Sequence, residues 1–319
     1  MHTLKRPEGS LPEDFHLSRR GLATAIFAGY AVAAFSAEAY PVVTDEAGLI
    51  TETVLLPTTG KQIRGYVARP NAPGRYAAVI VVSEVFGLHA YILDVCRRLA
   101  KVGYVAIAPG FFDRAGDPAP IPMTQFADIM KIVATATDPQ IMGDVGVTLR
   151  FLESAPYVEP SKIAITGFCW GGRVVWDACE TFPDFKAGVA WYGQLAPAAG
   201  QTSDPSKIWP IEHVASLHCP VLGLYGGKDP LTQAAPQMRQ ALTAAGKTGS
   251  DIIVYEDAGH GFHADYRASY NETDAKDGWR RLLAHLTLNG VVPGYHATGG
   301  RSVHHETHRR HRRRHHHEA

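Results

Sequence analysis

The chain lacks the marks of several large protein classes. Its four cysteines, Cys96, Cys169, Cys179 and Cys219, are scattered over 319 residues with no Cys-x-x-Cys pair, so neither a zinc ribbon nor a dithiol redox motif is supported. No Gly-x-Gly-x-x-Gly or Gly-x4-Gly-Lys loop occurs, and the five methionines form no cluster, so nucleotide binding has no support. Net charge is also missing: 31 basic residues balance 31 acidic ones. Outside the two ends the body holds 21 basic and 25 acidic residues, which gives no case for nucleic acid as a partner. The one long apolar run, Gly21 to Ala37, has about 17 residues and is rich in alanine, short for a membrane span.

At 45% hydrophobic residues the chain buries a full core. The N-terminal stretch "HLSRRGLATAIFAGYAVAAFSAEAY" joins a twin arginine (Arg19, Arg20) to a moderately apolar run and a small-x-small end at Ala37-Glu38-Ala39. It reads as a twin-arginine export signal over 1–39, cleaved near Ala39, with periplasmic or secreted localisation expected and no stable membrane span after cleavage. The competing readings are a membrane anchor or a surface helix, with a cytoplasmic protein as the alternative location. The C-terminal "HHETHRRHRRRHHHEA" is low-complexity and without apolar period, so 296–319 is expected to be a solvated, disordered tail.

Between these ends, 40–295 read as one α/β domain. "ITETVLLP" and "KQIRGYVARP" flank Thr58-Thr59-Gly60 and suggest an antiparallel hairpin. "YAAVIVVSE" is a continuous apolar run, as a central strand buried on both faces requires. Strand-like and helical stretches then alternate: "AYILDVCRRLAKVG" as a helix stopped by Gly103, "YVAIAP" as a strand, and "DPQIMGDVGVTLRFLES" as a helix with Asp138 as its cap. "KIAITGFC", "AGVAWYG", "PVLGLYGGKD" and "DIIVYEDAGH" follow as strands. Repeated βα units predict a mainly parallel sheet with helices on both faces.

In such a sheet the reactive groups sit just beyond the carboxyl ends of the strands. Three strand ends carry them here in a meaningful order: Cys169, then Asp229, then His260. Nucleophile, acid, histidine is the α/β-hydrolase order. Cys169 stands inside Gly167-Phe-Cys-Trp-Gly171, the shape of a nucleophile elbow, whose strained turn admits only tiny neighbours at −2 and +2. Taken alone, that pentapeptide is as compatible with a plain strand–helix turn. With Asp229 and His260 at later strand ends it reads as a catalytic thiol, with the Trp170 and Val85 amides as oxyanion donors. His263 is the alternative base and Asp257 the alternative acid, both less well placed at their strand ends. Cys96, Cys179 and Cys219 read as packing residues.

"SEVFGLHAYILDVCRRLAKVGYVAIAPGFFDR", "GFCWGG", "YGGKDP" and "AGHGF" together resemble the dienelactone hydrolase (carboxymethylenebutenolidase) family, over roughly residues 50 to 290. The resemblance implies a single-domain α/β-hydrolase fold and a Cys169–His260–Asp229 triad. It also implies hydrolysis of an enol-lactone that carries a carboxylate, in aromatic-compound degradation, without metal or organic cofactor. It assigns Glu84 as a carboxylate that contacts the thiol and tunes its ionisation, with an ion pair to Arg114 as the alternative. Arg114 corresponds to an arginine for the substrate carboxylate. Gly110 stands where the family commonly has an acid, and Ala264 where it has a second arginine, for which Arg267 is the nearest substitute. A broad carboxylesterase, or a binding protein that kept the fold, are the rival readings. A monomer is expected.

Overall fold

The computed structural model describes residues 41–198 and 206–294; the expected export signal and the expected His/Arg-rich tail lie outside the described residues. The elements alternate along the chain. β1 (Leu49–Leu56), β2 (Ile63–Pro70) and β3 (Tyr76–Val82) come first, then α1 (Ala90–Val102), β4 (Val105–Pro109), α2 (Phe126–Val133) and α3 (Asp138–Ser154). β5 (Val158–Phe168), α4 (Trp170–Thr181), β6 (Phe185–Trp191) and the short α5 (Pro210–His213) follow. β7 (Val221–Gly226), α6 (Ala235–Ala244), β8 (Asp251–Tyr255) and α7 (Glu272–Leu288) close the described fold.

The strands form one eight-stranded sheet in the order β1-β2-β4-β3-β5-β6-β7-β8. β1 and β2 form the expected antiparallel hairpin, β2 meets β4 antiparallel, and every later pair is parallel. β3 is buried at all seven positions, between β4 and β5. Its side chains alternate between two cores: Ala77, Val79 and Val81 face one, and Ala78, Ile80 and Val82 the other. α1 and α7 cover the first face through residues such as Val95, Leu99, Leu282 and Leu286, while α3, α4 and α6 cover the second. Each aliphatic side chain so buried contributes about 1.5–3 kcal/mol before chain entropy is counted, which is why the continuous apolar runs occupy the centre.

Helix boundaries follow local chemistry. Gly103 ends α1 at φ 109°, a left-handed conformation that glycine adopts without penalty. α3 departs from expectation: its N-cap is Thr137, whose hydroxyl accepts from the Gln140 amide, and Asp138 lies inside the first turn. Asp138 is instead buried against Arg173 of α4, with N–O distances of 2.6 and 2.9 Å. An ion pair claims the carboxylate, and the hydroxyl one residue earlier serves as the cap.

Candidate active site

β5 delivers Cys169 to the sheet's carboxyl edge at the turn into α4. The turn is strained, with Cys169 at φ 60° and ψ −119°. A Cβ on Gly167 would lie 2.3 Å from the Gly171 carbonyl oxygen, and one on Gly171 would lie 2.5 Å from that of Val82. Both glycines are therefore demanded by backbone packed on backbone. The same contact sets the start of α4 against the end of β3. Amides in a first helical turn have no partner within the helix. The Trp170 ring leans on Phe112 and Phe111, at centroid distances of 4.8 and 5.9 Å.

β7 and β8 supply the other two groups. Asp229 follows β7, and its Oδ1 accepts from the Leu231 amide at 3.0 Å. Its Oδ2 lies 2.6 Å from Nδ1 of His260, in the loop after β8. Burial by itself works against a charged His260. The Asp229 carboxylate, and hydrogen bonding to it and to Cys169, overcome it and raise the imidazole from 6.5 to about 10. The histidine thus holds a proton across the neutral range beside the sulfur.

His263, three residues on, has the opposite character. Its Nδ1 is 2.6 Å from the Tyr91 hydroxyl, and its ring stacks on Phe168 and Trp279. Burial, with Arg98 nearby, pushes it down to about 3, so it stays neutral. Asp257 is exposed, at 90% of its side-chain surface, with Lys228 3.7 Å away. Neither alternative joins the cluster.

Glu84, two residues past the end of β3, is fully buried. Its Oε1 accepts from Arg267 Nη2 at 2.6 Å, and its Oε2 meets Tyr266 Oη at 2.7 Å and His89 Nε2 at 2.9 Å. Burial opposes the carboxylate, yet Arg267, His89 and Tyr266 hold it down at about 2. The cation on Glu84 is therefore Arg267, and the expected alternative pair with Arg114 does not form. Arg114 points elsewhere, with two 2.7 Å bonds to Asp144 and a 3.0 Å bond to the Thr59 carbonyl. Its guanidinium braces α3 against the hairpin. Arg267 is completely buried, with Nη1 unpartnered. The glycine at 110 also has a reason: a Cβ there would lie 2.5 Å from Asp113 Oδ2. Asp113 fills that space and binds Arg64 through its Nε at 3.0 Å and Nη2 at 2.7 Å.

Sequence reading missed His89 and Tyr266, which share Glu84 with Arg267. Their signals were faint: His89 directly precedes α1, and Tyr266 adjoins Arg267. Cys96, Cys179 and Cys219 are buried and unbridged. Burial raises the Cys96 thiol above its ordinary range, and burial beside Cys219 raises Cys179.

A twisted, mainly parallel sheet with helices on both faces and an elbow cysteine at its carboxyl edge defines an α/β-hydrolase. The dienelactone hydrolase family profile matches residues 63–288. The chain belongs to the dienelactone hydrolase family, whose members are carboxylic ester hydrolases. A protein of Methylorubrum extorquens, provisionally named a carboxymethylenebutenolidase, is 42% identical over 287 residues, spanning 89% of this chain and 97% of its own. A Bradyrhizobium protein, provisionally named a 2-oxo-3-(5-oxofuran-2-ylidene)propanoate lactonase, is 30% identical over 80% of this chain and 100% of its own. The crystal structure of a protein from Klebsiella pneumoniae, provisionally assigned as a dienelactone hydrolase, superposes with a TM-score of 0.69. It is 42% identical, over 75% of this chain and 98% of the other.

Proposed function

We propose that the protein hydrolyses a lactone or activated carboxylic ester through Cys169, with His260 and Asp229 completing a triad and a thioester as intermediate. The observation that supports this most is the Asp229–His260 hydrogen bond beside a cysteine held in a strained elbow. His260, oriented by Asp229, takes the thiol proton or holds the sulfur as a thiolate–imidazolium pair. The thiolate sulfur attacks the carbonyl carbon, and the carbonyl π electrons move to oxygen. The Val85 and Trp170 amides receive that oxyanion; loss of one such donor costs roughly 3–4 kcal/mol of barrier. Collapse breaks the ester C–O bond, and the leaving oxygen takes the proton from His260. Neutral His260 then accepts a proton from water, whose oxygen cleaves the thioester and restores the thiolate.

The lactone named for the Bradyrhizobium relative is an enol-lactone bearing a carboxylate, and its enol oxygen is the kind of good leaving group a thiol requires. Recognition of that carboxylate is assigned in this proposal to Arg267, which is buried and paired with Glu84 but keeps Nη1 unpartnered, whereas Arg114 is engaged by Asp144. That same engagement of Arg114 favours a second reading, a carboxylesterase of broad specificity. A hydrolysis screen of dienelactone against uncharged activated esters separates the two: a marked preference for dienelactone supports the lactonase, and equal turnover supports the esterase. Cys169→Ala should abolish both, and retained turnover would overturn the nucleophile assignment. Export through the twin arginine is part of the same proposal, and replacing Arg19 and Arg20 by lysine should leave the protein in the cytoplasm.

A further inference from the structure

The four cysteines divide two and two across the sheet. Cys96 and Cys169 pack with the core under α1 and α7, whereas Cys179 and Cys219 pack with the core under α3, α4 and α6. A packed sheet between the two faces leaves each cysteine only a partner on its own side. Cys169 is held in the elbow, so Cys179 and Cys219 are the pair open to chemistry of another kind.

Two backbone hydrogen bonds bracket that pair. The His218 amide donates to the Cys179 carbonyl at 3.0 Å, and the Gly188 amide donates to the Pro220 carbonyl at 3.0 Å. Gly188 is itself packed on the Cys179 sulfur, since a Cβ there would lie 2.7 Å from Sγ. Both chain neighbours of Cys219 are thus tied, one to Cys179 and the other to the residue against its sulfur. The two thiols meet between these ties and hydrogen-bond to each other. A disulfide needs Cα atoms within about 7 Å and side chains that converge, and thiols already in contact converge. The pair is also reachable. Cys179 is wholly enclosed, but Cys219 is 8% exposed and stands between exposed His218 and half-buried Pro220.

We propose that Cys179 and Cys219 are a dithiol–disulfide site, closed by an oxidant of the disulfide class and reopened by thiols, that cross-links the end of α4 to the segment entering β7. The inference is independent of the hydrolytic reading above. In closing, the Cys219 sulfur gives up its proton and attacks one sulfur of the oxidant. The oxidant's S–S bond breaks, and its other half leaves as a thiol carrying that proton. The Cys179 sulfur then attacks Cys219, and its proton leaves with the second half of the oxidant as another thiol. Two S–H bonds have become one S–S bond, and two electrons have reduced the oxidant to two thiols. Burial keeps Cys179 protonated, so the exchange opens at Cys219. The bridge encloses about 40 residues, with β6 and α5 among them, and a cross-link of that span stabilises by restricting the unfolded chain. It ties the helix that begins beside Cys169 to the strand that leads to Asp229.

The test treats the whole reduced protein with oxidised glutathione under native conditions. Remaining thiols are then trapped with N-ethylmaleimide in denaturant, and the unreduced peptides are mapped by mass. A bridge from Cys179 to Cys219 is expected. The oxidised protein should melt about 5–10 °C above the reduced one, and dithiothreitol should return the lower value. Cys219→Ser should lose both the bridge and the reversible shift, which keeps glutathione on any other thiol from imitating them. Recovery of Cys179 and Cys219 as maleimide adducts overturns the proposal, as does glutathione lodged on Cys219 without closure. A bridged protein that melts below the reduced one overturns it too, because closure would then distort the native fold. The peptide map of the parent protein decides the matter even if the serine variant does not fold.

Discussion

At the carboxyl edge of the sheet, Glu84 lies fully buried between Arg267, Tyr266 and His89. Along α4, which starts at that edge, Asp177 and Glu180 are also buried, but without such company. Asp177 has Arg173 at 3.4 Å, an arginine bonded more closely to Asp138, and one Asp177 oxygen and both Glu180 oxygens have no partner. The outcomes are opposite. Glu84 is held at about 2, whereas burial pushes Asp177 up to about 8 and Glu180 up to about 10. A buried carboxyl is made tolerable either by a cation or by a proton. Around Glu84 the charge is kept; on the flank of α4 it is discharged.

Several variants would break or sharpen that contrast. The largest effect belongs to His260→Asn, which should lower kcat/KM for an activated ester on the order of 10⁴-fold with the fold intact, measured with circular dichroism alongside. Next is Arg267→Met, which strands the Glu84 charge and should cost about 3–5 kcal/mol in denaturant unfolding. Adding Glu84→Gln should restore part of it, and a near-silent Arg267→Met would show that the fold does not depend on this pair.

Glu180→Gln should be mild at neutral pH, and its interest lies in the pH profile. A folded pKa raised from 4.5 to about 10 means the folded state binds the proton more tightly than the unfolded chain. That stability is complete below about pH 4.5 and is lost as pH rises towards 10. The variant should therefore gain thermal stability over the parent as pH goes from 7 to 10, and parallel curves would place a hidden cation at Glu180. His260 is lost in the same alkaline direction. Glu84 has the reverse sign, its contribution fading as pH falls from 4.5 towards 2. The smallest effect on turnover is expected for Arg114→Ala. Asp144 loses its partner, at a cost of about 1–3 kcal/mol, while dienelactone turnover by the folded variant is spared.

Much of the architecture was legible because it follows from local periodicity. The all-apolar run of β3, the hairpin around Thr58-Thr59-Gly60 and the βα alternation are each written in a few neighbouring residues. Cys169, Asp229 and His260 were legible for the same reason, each lying at the end of a strand that its own pattern announces. The loops beyond those ends are another matter. Nothing local says that Thr137 caps α3 while Asp138 crosses to Arg173, or that Arg114 turns to Asp144 and leaves Glu84 to Arg267. Nor does it say that Asp113 fills the space beside Gly110.

The sequence by itself determined the sheet, its order of reactive strand ends and the glycine-flanked cysteine, because strand period and steric need at a tight turn are short-range. Only the tertiary structure decided which charges meet. It made neighbours of Glu84 and Arg267 across 183 residues, and it set His260 and His263 to opposite protonation though they are three residues apart. Desolvation and Coulomb attraction depend on what lies within a few ångströms in space, and that is fixed only when the elements pack.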